Sequence, residues 1–142
     1  MTLTTSRPDT NDSAMDFATA RRAMVDSQLR TSGVNEEFVL ARMLAVPRED
    51  FVPESARGTA YIDRAITLEN GRRIAAPLFY GMLLTEAQPR KDDTVLVVDS
   101  GSGYLPELIR PLVASVDIVS PEDAAAKSSA GASRKLGNAR PR

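Results

Sequence analysis

Histidine and cysteine are both missing from this chain. Without imidazole or thiol there is no Ser-His or Cys-His nucleophile, no thiolate chemistry, no disulfide and none of the usual zinc ligand sets. No metal site is expected. No run of about 18 apolar residues occurs, so no membrane span is encoded. The N-terminus lacks the apolar core of a secretory signal, which makes the cytoplasm the default location. A large charge of either sign is also missing: 18 basic and 19 acidic residues leave a formal net charge of -1. Neither nucleic acid nor an anionic membrane is therefore an expected partner.

What is present suits one soluble globular domain. The 142 residues are 42% hydrophobic and 26% charged, enough to bury a core. The most informative stretch is Asp93-Thr94-Val95-Leu96-Val97-Val98-Asp99-Ser100-Gly101-Ser102-Gly103-Tyr104-Leu105. Its aliphatic run has no helical spacing and reads as a strand buried on both faces. Small residues then make a turn, and Leu105, Leu108 and Ile109 follow at helical spacing. A strand, a glycine turn and a helix can close backbone N–H groups on a ligand. A Cβ at Gly101 or Gly103 would hold that ligand off the backbone. Pro106 stands where a third glycine of the dinucleotide fingerprint would be, which argues against nicotinamide or flavin.

In chain order, residues 1–14 are polar, contain Pro8 and read as a disordered tail, with Met15 an equally good start. Asp16 is a plausible N-cap for a helix carrying Phe17, Ala20, Met24, Val25 and Leu29, stopped at Gly33. Asn35 caps a second helix with Phe38, Val39, Met43 and Leu44 inward, ended by Pro47. Short turns follow at Arg48–Phe51 and from Glu54 to Arg57, the second ended by Gly58. Asn70-Gly71 predicts a hairpin between Ile66-Thr67-Leu68 and Arg73-Ile74, both turn residues tolerating positive φ. Pro77 opens a helix with Leu78, Met82, Leu83 and Ala87 on its apolar side. After the glycine turn Pro111 keeps the next helix short. Val116-Asp117-Ile118-Val119 reads as a strand parallel to the first. From Asp123 the chain has little to pack and reads as disordered or a loose helix.

Several segments, in order, resemble the protein-L-isoaspartate O-methyltransferases. Ala20-Arg21-Arg22-Ala23-Met24-Val25-Asp26-Ser27-Gln28-Leu29-Arg30 is similar to the opening helix of that family. Val46-Pro47-Arg48-Glu49-Asp50-Phe51-Val52-Pro53 resembles its V-P-R-x-x-F-V-P signature, and Ala60-Tyr61-Ile62-Asp63-Arg64-Ala65 its A-Y-x-D segment. Arg73-Ile74-Ala75-Ala76-Pro77 falls at the family's T-I-S-x-P. Val95 to Tyr104 is similar to the adenosylmethionine-binding motif. The resemblance runs from about Phe17 to Val119. It implies an α/β protein: an N-terminal helical region plus an incomplete Rossmann-like methyltransferase sheet. The implied division is a tail over 1–14, a helical and hairpin region facing substrate over 15–89, a partial cofactor-binding segment over 90–122 and a second tail over 123–142.

The resemblance also implies an activity. S-adenosylmethionine would be the methyl donor, held at Asp99, Ser100, Gly101, Ser102 and Gly103. Isoaspartyl-containing proteins or peptides would be the substrates, methylated on the free carboxylate for repair. A carboxylate is ionised near neutral pH and needs no general base, which agrees with a chain lacking histidine. The departures bear on activity. Asp99 replaces the family's first motif glycine, Val97 replaces an acid, and Ala75 stands at the family's serine position, leaving the catalytic residues unknown. Ser120 aligns with a ribose-binding acid, with Glu122 two residues on as a substitute. Little apolar sequence remains for further strands, which suggests a truncated member or one that self-associates to cover its sheet. Two classes stay open: a methyltransferase with altered cofactor contacts, and a non-catalytic module that binds protein or peptide.

Overall fold

A computed structural model describes the backbone of residues 10–130 and the side chains of residues 16–126. The chain opens with helix α1 (Thr10–Met24), continued by a π-helical turn over Val25–Leu29 and a 3₁₀ turn over Arg30–Ser32. The helix begins at Thr10, six residues ahead of the expected cap Asp16, so the polar stretch 10–14 is helical; residues 1–9 lie outside the described residues. Gly33 ends this segment with φ +97°, a left-handed conformation that a Cβ disfavours. Helix α2 (Glu37–Ala45) follows, one residue later than a cap at Asn35 would place it. Val46 is extended ahead of Pro47. Two 3₁₀ turns, Arg48–Phe51 and Glu54–Thr59, lead to the hairpin of β1 (Ile66–Thr67) and β2 (Arg73–Ile74).

Ile66 pairs with Ile74 and Thr67 with Arg73 in that hairpin. Of its two central residues only Gly71 has positive φ, at +85°. The Gly71 N–H donates to the Leu68 carbonyl at 3.0 Å, and Asn70 Oδ1 accepts from Arg72 N–H at 2.9 Å. The connection is thus a turn closed by a left-handed glycine, longer than a two-residue loop. Helix α3 (Pro77–Ala87) has proline in its first turn, as expected. Strand β3 (Thr94–Val98), helix α4 (Tyr104–Ile109), strand β4 (Ser115–Val119) and helix α5 (Pro121–Ala130) complete the described chain. The start of the expected second tail is therefore helical through Ala130, and 131–142 lie outside the described residues.

β3 and β4 form a two-stranded parallel sheet, in register from Thr94 opposite Ser115 to Val98 opposite Val119. One continuous core joins Met24, Leu29, Val39, Met43, Ile74 and Leu84 to Val97, Tyr104 and Leu108. It crosses the boundary placed at Pro89. Arg42 reinforces that junction by donating to the Leu108 and Glu107 carbonyls at 3.0 and 2.9 Å.

Two further sequence expectations change. β3 is buried on one face only: Val97 lies in the core while Leu96 and Val98 are exposed. Among the described residues no element covers the opposite face. In α3 the buried residues are Pro77, Tyr80, Gly81 and Leu84; Leu78 and Leu83 are half-buried, and Met82 and Ala87 are exposed. Gly81 decides this rotation. A Cβ there would sit 3.3 Å from both Leu29 and Val34, so the side without a side chain is the one that can approach the first helix.

Candidate functional site

The parallel strands β3 and β4 end on the same side, where open α/β sheets commonly bind ligands. At the end of β3 the chain turns through Asp99 to Gly103. Gly101 and Gly103 have φ +109° and +81°, conformations that glycine reaches without steric penalty. The Asp99 carboxylate is nearly buried, and its Oδ2 accepts from the N–H groups of both Gly101 and Gly103 at 2.9 Å. Ser102 Oγ accepts from Tyr104 N–H at 3.1 Å. The turn's own acid therefore engages the donors that such a turn would otherwise offer to an anion.

The hairpin lies over this turn. Asn70 Nδ2 donates to the Ser100 carbonyl at 2.9 Å and would be 2.7 Å from a Cβ on Gly101. Arg72 is ion-paired with Glu122 in the first turn of α5. Ser120 Oγ accepts from Asp123 N–H at 3.1 Å, as an N-cap does. Both residues considered for a ribose contact thus have structural partners. Between hairpin and turn is an open cleft of about 440 Å³, bordered by Phe51, Val52, Glu54, Asn70, Gly101 and Ser102.

The wall behind the cleft is built around Arg48, whose side chain is fully buried. Its Nε and Nη2 donate to the Ala60 and Ala75 carbonyls at 2.6 and 2.9 Å, and its guanidinium lies 5.3 Å from the centre of the Tyr104 ring. Burial lowers its pKa, opposed by the neighbouring tyrosines. Tyr104 is fully buried against Phe51 and Tyr80, with ring centres 5.6 and 5.2 Å away. Burial raises the Tyr104 and Tyr80 pKa values above the ordinary tyrosine range. The Tyr61 hydroxyl donates to Glu49 Oε1 at 2.5 Å and accepts from Arg21 Nε at 2.8 Å and Arg48 N–H at 2.9 Å. Burial first, and then the bond to Glu49, push Tyr61 up to about 12.

Of the residues singled out in the sequence, Asp99, Ser100, Gly101, Ser102 and Gly103 come together in one turn. Gly101 and Ser102 face the cleft. Ala75 does not border it; its carbonyl accepts from Arg48 and its N–H donates to the Tyr80 hydroxyl at 3.0 Å. Asn70 is the residue that sequence reasoning used only as a turn former. Its contact with the glycine turn joins segments 30 residues apart, and no local pattern encodes that.

A model of the protein-L-isoaspartate(D-aspartate) O-methyltransferase family matches residues 19–137. The chain belongs to that family. The protein-L-isoaspartate O-methyltransferase of Roseiflexus castenholzii is 36% identical over 123 residues, covering 87% of this chain and 56% of that protein. Protein-L-isoaspartate O-methyltransferase 1 of Rhodopseudomonas palustris is 33% identical over 130 residues, covering 92% of this chain and 53% of its own length. A solved protein-L-isoaspartate O-methyltransferase superposes with a TM-score of 0.55 at 20% identity, over 81% of this chain and 39% of that one. This likeness agrees with an incomplete Rossmann-like sheet. The chain spans little more than half the length of these curated relatives. Among its described residues no helix is long and apolar enough to cross a membrane, and no group of three or more acids gathers as a metal site.

Proposed function

We propose that this chain forms the donor-facing and substrate-facing part of a protein carboxyl methyltransferase, with S-adenosylmethionine as donor and isoaspartyl proteins or peptides as acceptors. The supporting observation is the left-handed turn at Gly101 and Gly103, set at the end of a parallel strand and open to a cleft walled by Phe51, Asn70 and Ser102. The fit to the donor is partial. The glycine backbone and the cleft are present, but the Gly101 and Gly103 amides already bond Asp99. The donor's carboxylate would find those N–H groups engaged, while its ammonium and sulfonium charges would face an acid. When bound, the donor supplies an electrophilic methyl group. The protein's share is to hold the acceptor carboxylate in line with it, an orientation effect that requires no proton transfer.

Titration calorimetry with S-adenosylmethionine tests this reading on the wild type and on Asp99→Gly. Freeing two amides for a carboxylate should tighten binding by roughly tenfold or more. Transfer of labelled methyl to an isoaspartyl peptide is the matching activity assay. No heat from either protein at millimolar donor would remove the transferase reading. A second reading, a non-catalytic module that binds protein or peptide, is favoured by the same Asp99 contacts. It expects an isoaspartyl peptide to bind with no donor present and with no effect of Asp99→Gly.

A further inference from the structure

Asn70, at the tip of the hairpin, does two jobs with one amide. Its Nδ2 donates to the Ser100 carbonyl at 2.9 Å, and its Oδ1 accepts from Arg72 N–H at 2.9 Å. Only a neutral amide offers a donor and an acceptor at once. Of the four asparagines in the sequence, only this one precedes a glycine; Asn11, Asn35 and Asn138 precede Asp12, Glu36 and Ala139. Asn70 and Gly71 are both exposed, and a Cβ built on Gly71 would meet nothing within 4 Å. The Gly71 nitrogen therefore stands next to the Asn70 side-chain amide with no side chain of its own in the way, and water reaches both. The Arg72 N–H is placed to stabilise negative charge developing on Oδ1 when a nucleophile adds to the amide carbon. One bond opposes that addition: the Gly71 N–H donates to the Leu68 carbonyl at 3.0 Å and has to open first.

We propose that Asn70 is a site of spontaneous modification in the folded chain, closing onto the Gly71 nitrogen to give a carboxylate that releases the hairpin from the glycine turn. The Gly71 nitrogen bonds to Asn70 Cγ and its proton passes to water. The bond from Cγ to Nδ2 then breaks, ammonia leaves, and a succinimide ring remains. Water opens the ring at either carbonyl, giving an aspartyl residue or an isoaspartyl residue whose backbone runs through the former side chain. In sum, water enters and ammonia departs. Each product carries a carboxylate, ionised near neutral pH, which accepts hydrogen bonds but donates none. The tie to the Ser100 carbonyl becomes a repulsion. That carbonyl shares its peptide unit with the Gly101 N–H, so the release reaches an amide held by Asp99. The new charge also joins Asp50, Glu54 and Glu69 on the border of the cleft, where no basic side chain lies among the described residues. The change is a slow, one-way loosening of the cleft wall, and it needs neither donor nor acceptor bound.

The chain supplies its own control, because Asn35 is exposed but followed by Glu36. The full chain is aged, folded, in mildly alkaline buffer made with heavy-oxygen water, and its peptides are mapped by mass spectrometry. Asn70 should convert roughly tenfold faster than Asn35, since glycine alone leaves the attacking nitrogen unhindered. Each converted peptide should carry one heavy oxygen, the mark of a ring opened by water. Hydrogen exchange reads the structural effect. In the aged fraction, and in Asn70→Asp as a directly made product, the Gly101 amide should exchange roughly fivefold faster or more than in fresh wild type. Circular dichroism should show both still folded. The proposal is overturned if Asn70 converts no faster than Asn35, or if it converts only in denaturant. It is equally overturned if the folded, modified chain keeps the slow Gly101 exchange of the fresh protein.

Discussion

At Tyr61 a single hydroxyl joins three segments: the first helix through Arg21, the turn at Arg48 and the carboxylate of Glu49. Tyr61→Phe keeps the ring and removes the junction, leaving charged partners short of a bond in a buried place. A loss of about 1–3 kcal/mol is expected in denaturant unfolding. The pH dependence has a definite sign. The phenol is raised from 10.0 to about 12 in the folded protein, so the folded state holds the proton longer than the unfolded chain. The resulting stabilisation is complete below about pH 10 and is lost as pH rises toward 12. Melting curves across that window should bring the wild type toward Tyr61→Phe. A constant gap between them would contradict the assignment. Asp99 teaches a related lesson: its departure from the family's glycine was legible in the sequence, but not the capture of two amides by one oxygen.

Elements meet at the hairpin. Asn70 Nδ2 holds the Ser100 carbonyl and its Oδ1 holds Arg72 N–H, so Asn70→Ala removes a tie within the turn and a tie to the glycine loop. A loss of about 1–2 kcal/mol is expected, from two net hydrogen bonds. Gly101→Ala should be costly in the wild type, both for its φ of +109° and for the 2.7 Å approach to Asn70. Part of that cost should vanish in the Asn70→Ala background. Additive losses in the double-mutant cycle would show that the two positions do not touch. Most elements were legible because proline, glycine and aliphatic spacing mark them locally. The inward side of α3 was not, since apolar residues surround that helix. Choosing a side needs Leu29 and Val34, which reach Gly81 only in the folded chain.

For the whole molecule, the fold class and the order of elements could be read from the sequence, and the matched family agrees with them. The open face of β3 could not be foreseen from β3 itself, because an aliphatic run looks the same whether one face or both are covered. The partition at Pro89 also looked natural in sequence, at a charged turn ahead of a strand. In the folded chain, however, Tyr104 and Leu108 are fully buried within the same core as Met43 and Leu84. A fragment ending at Pro89 would leave a hole beside Phe51 and Tyr80 and would lose both acceptors of Arg42. It should lack a cooperative thermal transition by circular dichroism, whereas the intact chain should show one. A fragment that melts cooperatively would mean that the helical half is self-sufficient.

Tyr104 carries a final consequence for time rather than energy. With its ring wedged among Phe51, Tyr80 and Arg48, and with Asp99 clasping the amides ahead of it, the glycine loop has no slack. Surface loops usually trade their amide hydrogens for deuterium quickly. Those of Gly101 and Gly103 should instead persist nearly as long as the hydrogens of the neighbouring strand, and any visitor to the cleft would meet a loop already set in its final shape.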